Sequence, residues 1–300
     1  MKFIHRKNNY IRIQQQYRMN PSDLQYLIDA FNQYKNTSIQ VQRDVYLTEK
    51  FVGNAVDGYL DGTGKPFGFS TVNFGVFDLA SDNQSGLLAV DRSVWELTPS
   101  NIENTNKKFF DWVATVSIIR LFSSLEVLLQ QIVWKAHFEN EMVDPMKEQK
   151  NRIKLKRRIV GFLDWKGLPN DSGKNEHLLQ FLNYHHSSFE AFSSRLVRTD
   201  LGITWLPFLK FLAVVRNIIA HNDMVISNDE INVLKSQSSA LFERAFYFEQ
   251  DESGLNHIRL KHEQHANFLA HINDFAANTV KFVAGETDLR FLGLFKSNLI

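Results

Sequence analysis

The feature that most constrains the fold is a helical spacing of apolar residues, which begins near residue 104 and continues to about residue 284. The longest segment with this spacing runs from about Asn106 to Phe138. Its apolar side chains fill one broad helix face, and a face of that width has to be buried against other helices. The face comprises Phe109, Val113, Val116, Ile119, Phe122, Leu125, Leu128, Leu129, Ile132 and Val133. The sequence therefore predicts a helical bundle.

Further helices are predicted after this segment. They are a basic helix after Pro145, helices over about 175–197 and 205–221, a helix beginning near Ser227, and a helix over about 261–284. Ser227 and Glu230 have the spacing of a capping box, which marks a helix start, and Gly285 marks a helix end. Short connections favour antiparallel neighbours. We predict an antiparallel bundle over residues 104–285, followed by a C-terminal tail at 286–300.

The first 103 residues predict a smaller, mixed α/β region of unknown role. Pro21 and the apolar spacing after it predict one helix. The apolar residues between Phe67 and Phe77 predict one or two strands. Residues 61–65 lack the spacing of a phosphate-binding loop and are interpreted as a turn. The predicted fold class is therefore mainly α, and α+β when the N-terminal region is included.

Composition excludes several classes of protein. The 300 residues include 25 Phe and no Cys. A chain so rich in aromatic residues is not disordered over most of its length, and without Cys it has no disulfide scaffold, Cys-ligated zinc or thiol nucleophile. The longest apolar stretch, 205–220, contains Pro207, Lys210 and Arg216 and predicts a buried helix rather than a membrane span. With no export signal, membrane segment or cofactor fingerprint predicted, the expected location is the cytoplasm and no cofactor is expected.

The net charge is only +1, but positive charge is concentrated between residues 147 and 158. This basic segment carries Lys147, Lys150, Arg152, Lys154, Lys156, Arg157 and Arg158. Such a run of cations binds a phosphate backbone by releasing counterions, and RNA is therefore one candidate partner. The alternative is a solvated helix face without a ligand.

The candidate chemistry lies in the apolar helix predicted over 205–221. Lys210, Asn217 and His221 fall on one polar stripe of this helix. Arg216 lies about 140° from His221 around the helix axis, so its guanidinium has to find a partner on a neighbouring element. One interpretation is an ion pair with a structural acid such as Glu126, with His221 as an ordinary helix-terminal residue.

The run from Arg216 to His221 resembles the Arg–polar–x–x–x–His motif of HEPN-domain proteins. His221-Asn222-Asp223 followed by a new helix near Ser227, and the earlier helix that carries Arg120 and Glu126, are similar to the surroundings of that motif in the family. The resemblance covers roughly residues 104–284. It implies a compact helical bundle that forms a homodimer and cleaves RNA without a metal ion.

The resemblance also implies a division of roles. Arg216, Asn217 and His221 would form the catalytic set, shared between two protomers, and Glu126 would support Arg216. Lys210 and the basic segment would contact RNA. The RNA 2′-OH is the nucleophile, and a histidine can act as acid or base near neutral pH. A toxin or anti-phage role, with an antitoxin or other regulatory protein as partner, is an analogy to the family.

The alternative is a non-catalytic HEPN module that binds RNA, a nucleotide or a partner protein. Other histidines are weaker candidates. His262 and His265 lack the spacing of zinc proteases and are interpreted as a solvated helix face. His185 and His186 are interpreted as helix surface, and His137 as a cation favoured by its position at the end of a helix.

Overall fold

The computed structural model describes residues 21–61, 68–77, 87–96, 102–171, 175–198, 200–222, 224–251 and 253–285. The helices in these ranges are α1 (Pro21–Leu60), α2 (Ile102–His137), α3 (Gln149–Lys166), α4 (Glu176–His185), α5 (Ser187–Ser193), α6 (Trp205–His221), α7 (Asn228–Ala245) and α8 (His265–Val283). The strands are β1 (Gly68–Phe77), β2 (Leu87–Glu96), β3 (Leu196–Arg198), β4 (Ile203–Thr204), β5 (Phe246–Gln250) and β6 (Asn256–Leu260). The strands form three antiparallel pairs, β1–β2, β3–β4 and β5–β6.

The predicted fold class is confirmed, because the described chain is mainly helical with small antiparallel sheets. The predicted helix over 205–221 is α6. The capping box before α7 forms as predicted, with the Ser227 hydroxyl accepting from the Glu230 backbone N–H and the Glu230 carboxylate accepting from the Ser227 N–H. Gly285 follows α8 with a left-handed φ of 74°, a conformation that glycine adopts without strain.

Two parts of the structure differ from the prediction. The helix expected over 175–197 is broken at His186, whose extended backbone separates α4 from α5, and it ends in strand β3. A hairpin, β5–β6, lies between α7 and α8 where only a connection was expected. Phe246, Phe248 and Ile258 alternate with polar residues along this hairpin, and the period of two directs them to one side.

The chain divides into two compact units. The large unit comprises residues 1–43 and 112–300, and the small unit comprises residues 44–111. In the described chain, the small unit consists of parts of α1 and α2 with the hairpin β1–β2. Strand β1 confirms that a strand lies near residues 67–77, whereas β2 lies outside the predicted range. The domain boundary predicted at residue 103 was based on composition and stays a prediction. Residues 62–65 of the predicted turn and the tail at 286–300 lie outside the described residues.

The core of the large unit is built around α2, in which every residue from Leu121 to His137 is buried or half-buried. A helix that is apolar on most of its circumference has to be surrounded in this way. Leu27 and Phe31 of α1 belong to the same core. The hydroxyl groups of Tyr34 and Ser38 both donate to Oδ1 of Asn273, over 2.8 and 2.9 Å, and join α1 to α8.

Among the described residues, α2 is the helix long and apolar enough to cross a membrane by length and composition. Half of its most apolar window is buried inside the protein. The sequence had pointed to 205–220 as the longest apolar stretch. That stretch is α6, whose Phe208, Phe211 and Leu212 are completely buried.

Candidate functional site

Helix α6 positions the predicted catalytic residues. Its apolar side chains fill the core, so the helix is held in place by burial rather than by its own propensity. The helix ends at His221, after which the Asn222 N–H donates to the carbonyl of Ile218 over 3.0 Å. The polar residues Lys210, Arg216 and Asn217 are half-buried, whereas His221 is exposed.

The guanidinium of Arg216 forms an ion pair with Glu126 of α2. Arg216 Nη2 donates to Glu126 Oε1 over 2.6 Å, and the two side chains are 23% and 16% exposed. Nε of Arg216 is buried without a hydrogen-bond partner, and no bond is formed by Nη1 within the described chain. Glu126 is the acid that the sequence had suggested as the partner of Arg216.

Asn175 completes this cluster from the start of α4. Its side-chain amide donates to the same Glu126 oxygen that accepts from Arg216. The backbone of Asn175 is left-handed, with φ 56°, a conformation that asparagine adopts more readily than most residues. Three elements, α2, α4 and α6, thus meet at one carboxylate, and Glu126 orients Arg216 through a charge-assisted hydrogen bond.

Lys210, which the sequence assigned to RNA contact, forms an ion pair with another residue of the same chain. Its ammonium lies 2.6 Å from Oε1 of Glu176, a carboxylate whose side chain is only 8% exposed. A buried carboxylate requires a partner charge, so the pair has a structural role at the start of α4. An RNA phosphate would have to compete with Glu176 for Lys210.

Asn217 and His221 are not joined to the Arg216 cluster by any hydrogen bond among the described residues. His221 stands at the exposed end of α6, beside the capped start of α7, where the Asn222 amide donates to Glu230 over 3.2 Å. The chain therefore presents a guanidinium that is bonded to Glu126 and an exposed imidazole that forms no hydrogen bond with it.

The basic segment forms the first part of α3, as predicted. Leu155, Ile159, Phe162 and Leu163 anchor this helix in the core. Most of its cations are exposed: Lys147, Lys150, Arg152, Lys154, Lys156 and Arg157. Arg158 is half-buried and pairs with Glu141, and Lys150 pairs with Glu148 over 2.8 Å.

A surface cavity of about 430 Å³ opens at the start of α3. Lys147, Arg152 and Lys156 contribute positive charge to its lining, together with one acid, Glu148. Part of the basic segment therefore lines a concave surface.

A cluster of three histidines was missed by the sequence reasoning. His137 Nε2 and His186 Nε2 lie 3.0 Å apart, and the ring of His185 is centred 4.6 Å from that of His137. Burial lowers the pKa of His185 and of His186 to about 4, and it also holds the pKa of His137 well below its usual value. The three rings are therefore neutral near pH 7. His137 ends α2 as expected, but it is not a cation there, because its ring packs against Phe181 and lies beside His186. The interpretation of His185 and His186 as helix surface is wrong, because both residues are half-buried and the His185 ring packs against Phe181.

His265 also differs from its interpretation as a solvated residue. It is 6% exposed, and its Nε2 lies 2.6 Å from the hydroxyl of Ser117, which itself donates to the carbonyl of Ala114. Among the described residues, no group of three or more His, Asp or Glu side chains is arranged to hold a metal ion. The Ser117–His265 contact belongs to the core, since both residues are buried.

No family model, curated protein or solved structure matches this chain. The resemblance to HEPN proteins therefore depends on the residues from Arg216 to His221 and on the helices around them. The function has to be inferred from the chemistry of these side chains.

Proposed function

We propose that the protein is a metal-independent endoribonuclease of the HEPN type, whose active site is completed by a second copy of the chain. The observation that supports this proposal is the placement of two groups on α6. Glu126 holds the Arg216 guanidinium in one orientation, and His221 stands exposed at the helix end without a partner among the described residues. Two copies related by a two-fold axis would supply two such sets to one substrate.

The proposed reaction uses the RNA 2′-OH as nucleophile. One His221 takes the 2′ proton as the 2′-oxygen attacks phosphorus, and the other His221 donates a proton to the departing 5′-oxygen. The products are a 2′,3′-cyclic phosphate and a free 5′-OH. The reaction needs two imidazoles in opposite protonation states, and one protomer offers one at this position.

Arg216 would stabilise the phosphorane-like transition state. Its bond to Glu126 uses Nη2, so Nη1 is available to donate to a phosphoryl oxygen. The ion pair also prevents the guanidinium from rotating, which reduces the cost of ordering it when substrate binds. Asn217, which is half-buried on the same helix, would orient His221 or the phosphate.

A non-catalytic HEPN module is the second candidate, and the same ion pair favours it. An arginine already satisfied by Glu126 serves as a structural group, and the protein would then bind RNA, a nucleotide or a partner protein without cutting. A cytoplasmic toxin or anti-phage setting, with an antitoxin or other regulatory protein, belongs to the nuclease proposal by analogy alone.

Incubation with RNA in EDTA separates the two candidates. Wild type should cleave and leave 2′,3′-cyclic phosphate ends, whereas Arg216→Ala and His221→Ala should each lose at least about 100-fold in rate, the usual effect of losing a general acid–base group or an electrostatic donor. Arg195→Ala and His262→Ala are matched controls on other surfaces and should cleave normally.

Cleavage at the wild-type rate by either site variant would refute the nuclease proposal. RNA binding without cleavage by wild type would support the non-catalytic candidate. Measuring the mass of the protein in solution adds a separate test, because the composite site requires a dimer.

A further inference from the structure

Two partly exposed aromatic rings lie where α3 and α4 end, and both contact the Lys166 side chain. Trp165 is 51% exposed and Tyr184 is 40% exposed. The ammonium of Lys166 lies 4.1 Å from the centre of the Trp165 ring and 5.1 Å from the centre of the Tyr184 ring. We call these three residues the aromatic platform. Exposed aromatic side chains in such a group indicate a binding surface more strongly than scattered ones do.

Buried neighbours hold the aromatic platform in place. The ring of Phe162, which is 3% exposed, is centred 6.1 Å from Trp165 and 5.1 Å from Tyr184. The ring of His185 is centred 5.1 Å from Tyr184 on the core side. The platform is therefore supported before any ligand arrives, which lowers the entropy lost on binding.

Helix α3 joins this platform to the basic segment. Lys154, Arg158, Gly161 and Trp165 lie within about 60° of one another around the helix axis, and Lys154 is about 16 Å from Trp165 along it. Lys154 is exposed and forms no ion pair with a described residue, and the same is true of Arg157 beside this face. Gly161 leaves the surface between them open, because a Cβ built there would meet nothing within 4 Å.

We propose that this face of α3 binds single-stranded RNA, with unpaired bases stacked on the aromatic platform and phosphates on Lys154 and Arg157. The proposal rests on the proposed function and extends it by naming the form of RNA that is recognised. Bases of a single strand expose their faces to Trp and Tyr rings, whereas those of a duplex are stacked on each other. An acidic peptide would match the cations but would offer no planar base to stack on the two rings.

The experiment is fluorescence anisotropy with a labelled 12-nucleotide RNA of mixed sequence, in the full-length His221→Ala protein so that cleavage does not interfere. Trp165→Ala should weaken binding roughly 5- to 150-fold, the worth of about one stacked base. Trp165→Phe should restore most of the affinity. Trp112→Ala is the matched control, since Trp112 is a 44% exposed tryptophan on α2. The same RNA annealed to its complement should bind at least several-fold more weakly than the single strand.

Equal affinity of Trp165→Ala and the control variant, or equal binding of single strand and duplex, would overturn the proposal. So would binding of a polyglutamate peptide that depends on Trp165 in a protein that does not bind the RNA. A single-stranded DNA of the same sequence tests whether the 2′-OH contributes, and weaker binding of the DNA is expected.

The two proposals fail separately. If wild type binds the RNA in a Trp165-dependent manner but does not cleave it, the nuclease proposal fails and the platform stands. If wild type cleaves RNA and Trp165→Ala leaves KM and kcat unchanged, the platform fails and the nuclease stands.

Discussion

Arg216 and Glu126 lie 90 positions apart in the sequence, and their side chains are joined by a hydrogen bond of 2.6 Å between Nη2 and Oε1. This bond links α6 to α2. It offsets part of the free-energy cost of burying the guanidinium, and it orients the group. The same carboxylate oxygen also accepts from Asn175. Any function of Arg216 therefore depends on Glu126, and the pair is the first target for mutation.

Glu126→Gln should destabilise the protein by about 1–2 kcal/mol, because it replaces a charge-assisted hydrogen bond to a half-buried arginine by a neutral one. If Arg216 acts in catalysis, the variant should also cleave RNA more slowly with little change in RNA affinity. Urea unfolding and the cleavage assay measure the two effects. Glu190→Gln is the control, since Glu190 is exposed and forms no ion pair with a described residue, and its replacement should cost at most about 0.5 kcal/mol. Equal stability losses in the two variants would contradict the structural role of the pair.

Stability should fall as the pH drops from about 6.5 towards 4. Burial holds the pKa of His185 and of His186 at about 4, whereas an unfolded histidine titrates near 6.5. Between these values the unfolded chain binds more protons, so protonation favours unfolding. At pH 5 each histidine should account for a loss on the order of 1–2 kcal/mol relative to pH 7.5.

His185→Phe should reduce this pH dependence and raise stability at pH 5. The His185 ring packs against Phe162 and Phe181, and its Nε2 is buried without a hydrogen-bond partner. A phenyl ring keeps the packing and removes the titrating group. Tyr184→Phe, a neighbouring change that keeps all three histidines, should leave the dependence unaltered. The measurement is the thermal midpoint at pH 5.0 and 7.5, and an unchanged difference in His185→Phe would refute this explanation.

Lys210→Met should destabilise the protein by about 1–3 kcal/mol, because it leaves the buried Glu176 carboxylate without its partner. The double variant Lys210→Met/Glu176→Leu should recover part of this loss, since no unpaired charge remains. A direct RNA contact by Lys210 predicts a different result, namely weaker RNA binding with unchanged stability. Urea unfolding and RNA anisotropy on the same preparations distinguish the two roles.

If Lys154 and Arg157 of α3 contact RNA phosphates, their replacement should change the salt dependence of RNA binding. Replacing Lys154 and Arg157 together by Ala should reduce the slope of log affinity against log salt by about 1.4, since each phosphate contact on a single strand contributes about 0.7. Stability should hardly change, because both side chains are exposed. The control Lys235→Ala/Arg195→Ala removes two exposed cations elsewhere. An equal slope in both double variants would exclude this face as the RNA contact.

Local patterns allowed much of the fold to be predicted. The limits of α6, the capping box at Ser227 and the end of α8 before Gly285 follow from interactions between residues a few positions apart. The break at His186 does not follow from such a pattern. The residues around it keep helical spacing, and the break becomes favourable because it lets Phe189 and Phe192 of α5 pack against Phe275 of α8.

The candidate site was predictable in part. The sequence identified Arg216 and His221 by their unusual place in an apolar helix, and it named Glu126 as one partner for the arginine. It did not show that Lys210 is paired with Glu176, that three histidines form a buried cluster, or that Trp165 and Tyr184 share a surface. Each of these depends on a contact between separate helices.

The sequence by itself determined the helices, their caps and the concentration of positive charge, because these depend on side-chain spacing and on neighbours within about one turn. The tertiary structure decided which charges are paired, which histidines are neutral and which aromatic rings remain exposed. Those properties depend on desolvation and on distances between side chains far apart in the chain, and the association of α2, α3, α4 and α6 sets them. Residues of the same type thus differ in environment, as exposed His221 and half-buried His137 do.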